Sequence, residues 1–166
     1  MHPAFADFVR DVEATIDDPE AIARRLQPLL AQDGWLAPEH QAPGTDRYRQ
    51  HLLHVSPCRR LSVVALVWRP GQATPIHDHV SWCVVGVYRG LERETRYRVV
   101  DGRLERTATI DAEPGHVEAL IPPAENIHLV EAGGDELTIS IHVYGADIER
   151  LGSSVYRLYD DLAPAA

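Results

Sequence analysis

From about Tyr48 onward the chain is a succession of short runs rich in β-branched and aromatic residues, separated by turn residues. The runs include "LSVVALVW" (61–68), "WCVVGVY" (82–88), "HVEALIPP" (116–123), "NIHLVEA" (126–132) and "LTISIHVYG" (137–145). Between them, "ETRYRVVDGRLERTATI" reads as two strands joined at Asp101-Gly102, a strong hairpin signal. "AGGDE" turns the chain once more. No helix-period segment interrupts this half, which argues against an α/β fold and for a sandwich or barrel.

The first third differs. "FADFVRDVEATI" places Phe5, Phe8, Val9, Val12 and Ile16 on one helical stripe. "DDPEAIARRLQPLLAQ" opens with Asp18 as N-cap and Pro19 at the first helical position, and Pro28 is expected to kink or shorten that helix. "APEHQAPGTD" is a Pro/Gly-rich connector. The expected organisation is one domain over 1–166: a helical N-terminal segment (1–45), then a β-barrel (46–166).

With 166 residues, 45% of them apolar, the chain can bury a sizeable core. A net charge of −9 argues against nucleic acid and acidic membrane surfaces as partners. No apolar run is long enough to span a bilayer, and "MHPAFADFVRDVEA" lacks a basic start followed by an apolar block. With only two cysteines, the expectation is a reducing, cytoplasmic location.

The chemistry lies in "PIHDHVSWCVVGVYRG" (75–90). On a strand, residues i and i+2 face the same side, so His77 and His79 can reach one ion at about 2.1 Å from each nitrogen. His128, in "PPAENIHLVEA", offers a third imidazole from a separate strand. In "TISIHVYG", Ser140, His142 and Tyr144 also alternate and face one side.

"GQATPIHDHVSWCVVGVYRG" resembles the first cupin motif, G-x5-H-x-H-x3,4-E-x6-G, through Gly71, His77, His79 and Gly90. "IPPAENIH" resembles a divergent second motif ending at His128. Cys83 stands where most cupins place a glutamate ligand. Together with Ser140, His142 and Tyr144, this pattern resembles the cysteine dioxygenase family over roughly Tyr48 to Tyr144. The resemblance implies a mainly β cupin fold, a double-stranded β-helix or jelly-roll barrel. It implies Fe(II) held by His77, His79 and His128, and oxidation of a small thiol carboxylate by O2 to its sulfinate. Tyr144 would donate a hydrogen bond into the pocket, His142 would orient Tyr144, and Ser140 would fix the tautomer of His142. In some members a cysteine at the Cys83 position forms a thioether with the relay tyrosine.

Substrate choice departs from the family patterns. Cysteine-selective members carry Tyr-x-Arg near the start of the barrel; here "YRQ" is Tyr48-Arg49-Gln50. Members preferring 3-mercaptopropionate carry glutamine there, plus an arginine about nine residues past the relay tyrosine. That spacing lands on Ser153, flanked by Arg150 and Arg157. Tyr48, Gln50, Arg49 and Arg150 are therefore the candidate substrate-binding residues, with Arg157 beside them and His51 and His54 as further pocket candidates. A one-residue slip would exchange the faces of the Tyr48–Gln50 strand. Two other readings stay open: a non-catalytic cupin that binds a small ligand, and a cupin metalloenzyme using another metal and chemistry.

Overall fold

The computed structural model describes residues 1–122, 126–159 and 161–162. Helices α1 (Pro3–Ala14) and α2 (Pro19–Leu30) come first, then a 3-10 turn (Pro38–Gln41). Ten strands follow among the described residues: β1 (Arg49–Val55), β2 (Ser62–Trp68), β3 (His77–His79), β4 (Cys83–Arg89), β5 (Glu92–Val100), β6 (Arg103–Ala112), β7 (Val117–Leu120), β8 (Ile127–Ala132), β9 (Thr138–Tyr144) and β10 (Val155–Leu158). A one-turn helix, α3 (Ile148–Leu151), separates the last two. Neither α3 nor β10 is expected from the sequence pattern, because both are too short to show a period.

The strands form two antiparallel sheets, in the orders β1-β2-β9-β4-β7 and β10-β3-β8-β5-β6. Their inner faces enclose one core around Val64, Leu66, Trp68, Cys83, Val130 and Tyr144. A second core lies outside the first sheet. There Val63, Ala65, Val67, Ile139, Ile141 and Val143 pack against Phe8, Val12, Ile22 and Leu26 of the two helices. β2 and β9 are thus buried at every position, which explains why "LSVVALVW" is apolar almost throughout rather than alternating.

Local chemistry sets the boundaries. The Asp18 side chain accepts a hydrogen bond from the Ala21 N–H at 2.9 Å, capping α2. Pro28 does not break that helix; it sits in the final turn, and the helix runs two residues beyond it to Leu30. Asp101 and Gly102 both have positive φ, 48° and 76°, as the expected tight hairpin requires. Gly86 on β4 lies under α2: a Cβ there would sit 2.6 Å from Leu30 Cδ1 and 2.8 Å from Leu26 Cδ2. Its lack of a side chain lets the helix approach the sheet. No helix among the described residues is long and apolar enough to cross a membrane.

Candidate metal centre

β3 and β8 are neighbours in the second sheet, and His77 is the Cα partner of His128. The alternation of β3 turns His77 and His79 into the barrel, and that of β8 does the same for His128. One ring nitrogen from each lies within 4.8 Å of the others, and all three side chains are buried.

Each ring is held through Nδ1. His77 Nδ1–H donates to the Pro75 carbonyl at 2.9 Å, and His79 Nδ1–H donates to the Asn126 amide oxygen at 2.9 Å. His128 Nδ1–H donates to Glu94 Oε1 at 2.6 Å. All three Nε2 atoms are left for a shared ion, the arrangement found where outer partners orient metal-bound imidazoles. Burial, reinforced by the neighbouring imidazoles, holds His77 down to about 3 and His79 down to about 4. Both rings are therefore neutral at neutral pH, as metal ligation requires. The donor set fits a divalent transition metal such as zinc, copper, iron or nickel.

Glu94 is anchored in turn. Burial alone would raise its pKa, but hydrogen bonds from His128 and Arg96 win and hold it at about 2. Arg96 bridges Glu94 Oε2, at 2.8 Å, to Glu118. Sequence reasoning missed Glu94, Arg96 and Asn126. In "LERETRYR" polar residues occupy both strand faces, so periodicity does not reveal which face is inside; the pairing of β5 with β8 decides it. The middle of the proline-rich turn before His128, residues 123–125, lies outside the described residues.

Ser140, His142 and Tyr144 point inward from β9 toward this centre. Ser140 Oγ lies 2.9 Å from His142 Nε2, and Tyr144 Oη lies 3.1 Å from His142 Nδ1. The Tyr144 and His79 ring centroids are 6.3 Å apart. Cys83 is the Cα partner of Tyr144 across β4 and β9, fully buried, with Sγ 3.7 Å from His142 Nδ1. Burial pushes its thiol pKa up. It lies against the relay rather than among the three histidines.

The pocket over the histidines is lined by Tyr48, Gln50, Trp68, Tyr144, Ser153 and Ser154, among others. Gln50 pairs with Leu66, whose side chain faces the barrel interior, whereas Arg49 pairs with the outward-facing Val67. Arg49 is exposed and lines no part of this pocket. Arg150 is exposed on α3, and its backbone N–H donates to the capping Asp147 side chain. Arg157 is exposed, with its guanidinium 4.8 Å from the Tyr159 ring centroid. His51 meets the Ala42 carbonyl and His54 meets Glu13, both away from the pocket. The candidate arginines and these two histidines are thus placed elsewhere, and no arginine lines the pocket among the described residues.

No known family profile matches the chain. Solved structures resemble it in fold. An uncharacterised conserved protein with a double-stranded β-helix domain from Klebsiella pneumoniae matches with a TM-score of 0.50 and 18% identity, over 78% of this chain and 98% of that one. An RmlC-like cupin from Desulfovibrio desulfuricans matches at 0.50 and 20%, over 69% and 97%. Oxalate decarboxylase from Bacillus subtilis, described with Mn(II) centres, matches at 0.51 and 18%, over 66% of this chain but only 29% of that one. At these identities the likeness speaks for architecture alone. The two antiparallel sheets and these neighbours agree: the chain has the cupin fold, a double-stranded β-helix enclosing a candidate three-histidine metal centre.

Proposed function

We propose that the chain is an Fe(II)-dependent dioxygenase that converts a small thiol carboxylate and O2 to the sulfinate. The observation that carries this reading is a carboxylate-free set of three imidazoles faced by a tyrosine whose hydroxyl is held by His142. When bound there, iron would keep its full positive charge, favour a thiolate ligand and leave positions for substrate and O2. Everything else falls to the chain's own side chains. Tyr144 supplies a hydroxyl at the pocket wall, and burial raises its pKa well above the usual phenol value, so it stays protonated. Tyr48 and Gln50, with Ser153 and Ser154, offer neutral hydrogen bonds to one carboxylate.

That neutral lining favours 3-mercaptopropionate, or a related thiol, at least as much as L-cysteine. A missing charge-assisted contact to carboxylate costs roughly 1.5–3 kcal/mol, or about one to two decades in affinity. The test is metal analysis followed by oxygen uptake with a panel of thiols, comparing kcat/KM for 3-mercaptopropionate and L-cysteine. Iron occupancy, one O2 consumed per thiol and both sulfinate oxygens labelled from O2 are expected. A strong preference for cysteine would reject the assigned selectivity. An iron-loaded chain that consumes no O2 with any thiol would reject the reaction, leaving ligand binding or another metal chemistry.

A further inference from the structure

Glu92 is a buried carboxyl that the proposed reaction does not use. It projects from β5 into the barrel, 5% exposed, and its Oε2 has no hydrogen-bond partner among the described residues. Across the barrel, the Ser140 hydroxyl on the opposite sheet is the neighbour that works to hold the carboxyl's pKa down. Glu92 also lines a second cavity, which shares His128, Val130 and His142 with the metal pocket and reaches the part-exposed His116 and Glu118. The carboxyl thus stands between a route to solvent and the first member of the relay.

Donor counting at Ser140 makes this placement consequential. A serine hydroxyl has one proton to donate and two lone pairs. Trp68 Nε1–H donates to Ser140 Oγ at 3.3 Å and takes one lone pair. One donor and one acceptor remain for two partners, Glu92 and His142 Nε2. If the Glu92 carboxyl is protonated, it donates to Ser140, Ser140 donates to His142 Nε2, and His142 Nδ1–H donates to Tyr144. The Tyr144 proton then points into the pocket. If Glu92 is ionised, it can only accept. Ser140 donates to it, His142 Nε2–H donates to Ser140, and Tyr144 donates back to His142 Nδ1. Between the two states one proton passes from Glu92 to solvent, while Ser140, His142 and Tyr144 each keep one.

We propose that Glu92 is a positioning residue that acts through Ser140 to set the direction of the Ser140–His142–Tyr144 hydrogen bonds, and so whether Tyr144 donates into the metal pocket. Its value to catalysis rests on the dioxygenase reading above; the hydrogen-bond reversal itself does not. Burial, reinforced by Glu94 and opposed by the Ser140 hydroxyl, pushes Glu92 up to about 7, so both states are populated near neutral pH. Burial holds His142 down to about 3, so it responds by changing tautomer rather than charge. The ionisable groups around Glu92 are Glu94 and Arg96 on its own strand, Cys83 on β4, His116 and Glu118 on the β7 side, and His128 and His142 on β8 and β9. Arg96 pairs with Glu94 and Glu118.

The experiment is nitrogen-15 NMR of the histidine rings in the full chain saturated with Zn(II), a diamagnetic probe, with no substrate present. His142 should pass from the Nδ1–H to the Nε2–H tautomer as pH rises from about 5.5 to 8.5. A carboxylic-acid infrared band should disappear over the same range. In Glu92→Gln both changes should be absent, and in turnover assays the matching limb of the kcat profile should go while KM moves little. A His142 ring that keeps one tautomer across the range in the unsubstituted chain overturns the proposal, as does an identical transition in Glu92→Gln. Because the spectra need no turnover, a chain that oxidises no thiol can still pass or fail this test.

Discussion

The two sheets of the barrel share an interior but differ in what covers their backs. The sheet β1-β2-β9-β4-β7 is covered outside by α1 and α2, and its strands β2 and β9 are buried at every position. On the other sheet, β8 alternates between more and less buried residues, and the inward side of β5 carries Glu92, Glu94 and Arg96. The first sheet contributes the relay, clamped from behind by apolar packing. The second contributes the metal ligands and Glu94, the carboxylate that orients His128. A rigid, dry sheet can present a few polar residues at fixed positions. A sheet that must hold a cation needs ionic groups inside, and tolerates them because Arg96 pairs both with Glu94 on its own strand and with Glu118 on β7 of the opposite sheet.

Substitutions on either sheet can break this division of labour. The largest effect is expected at the ligands: His128→Ala should lose metal affinity by well over about a hundredfold, the range typical of outer partners alone. Metal titration checks it, and a His128→Ala protein with unchanged affinity would remove that residue from the centre. Glu94→Gln, one step further out, should lose about 10–100-fold in the same titration, because the amide no longer offers His128 a charged acceptor.

On the covered sheet the signature should reverse. Gly86→Val forces side-chain atoms into Leu26 and Leu30 and should cost roughly 1–3 kcal/mol in denaturant unfolding. The folded fraction should bind metal with unchanged affinity; a parallel loss would mean the sheets are not separable.

The gentlest probe is pH on the metal-free chain. His77 and His79 have folded pKa values depressed to about 3 and 4 from 6.5, so between these values the unfolded chain binds more protons. Their contribution to stability should be full above about pH 6.5 and be lost steadily as pH falls toward 4, while Glu92, with its raised pKa, gives a smaller slope of opposite sign up to about 7. Thermal melts from pH 7.5 to 4.5 measure the slope, which His77→Phe should reduce. Equal slopes in the unsubstituted chain and in His77→Phe would show that His77 carries no such penalty.

Much of the fold and the candidate site was legible because its signals are local. His77-x-His79 and Ser140-x-His142-x-Tyr144 need only the two-residue strand period to share a face, and Asp101-Gly102 needs only its own backbone to turn a hairpin. The Asp18 cap and the stripe from Phe5 to Val12 are equally local. Tertiary structure decided whatever depends on register between distant strands. Pairing of β1 with β2 turned Gln50 inward and Arg49 outward, a choice that a one-residue slip would reverse. Pairing of β5 with β8 put Glu92, Glu94 and Arg96 inside, where a charged strand would ordinarily be read as solvated. Residues near the C-terminus became β10 only by pairing with the ligand strand β3. Strand period is a property of neighbouring residues; which face is buried, and beside what, belongs to the assembled sheet.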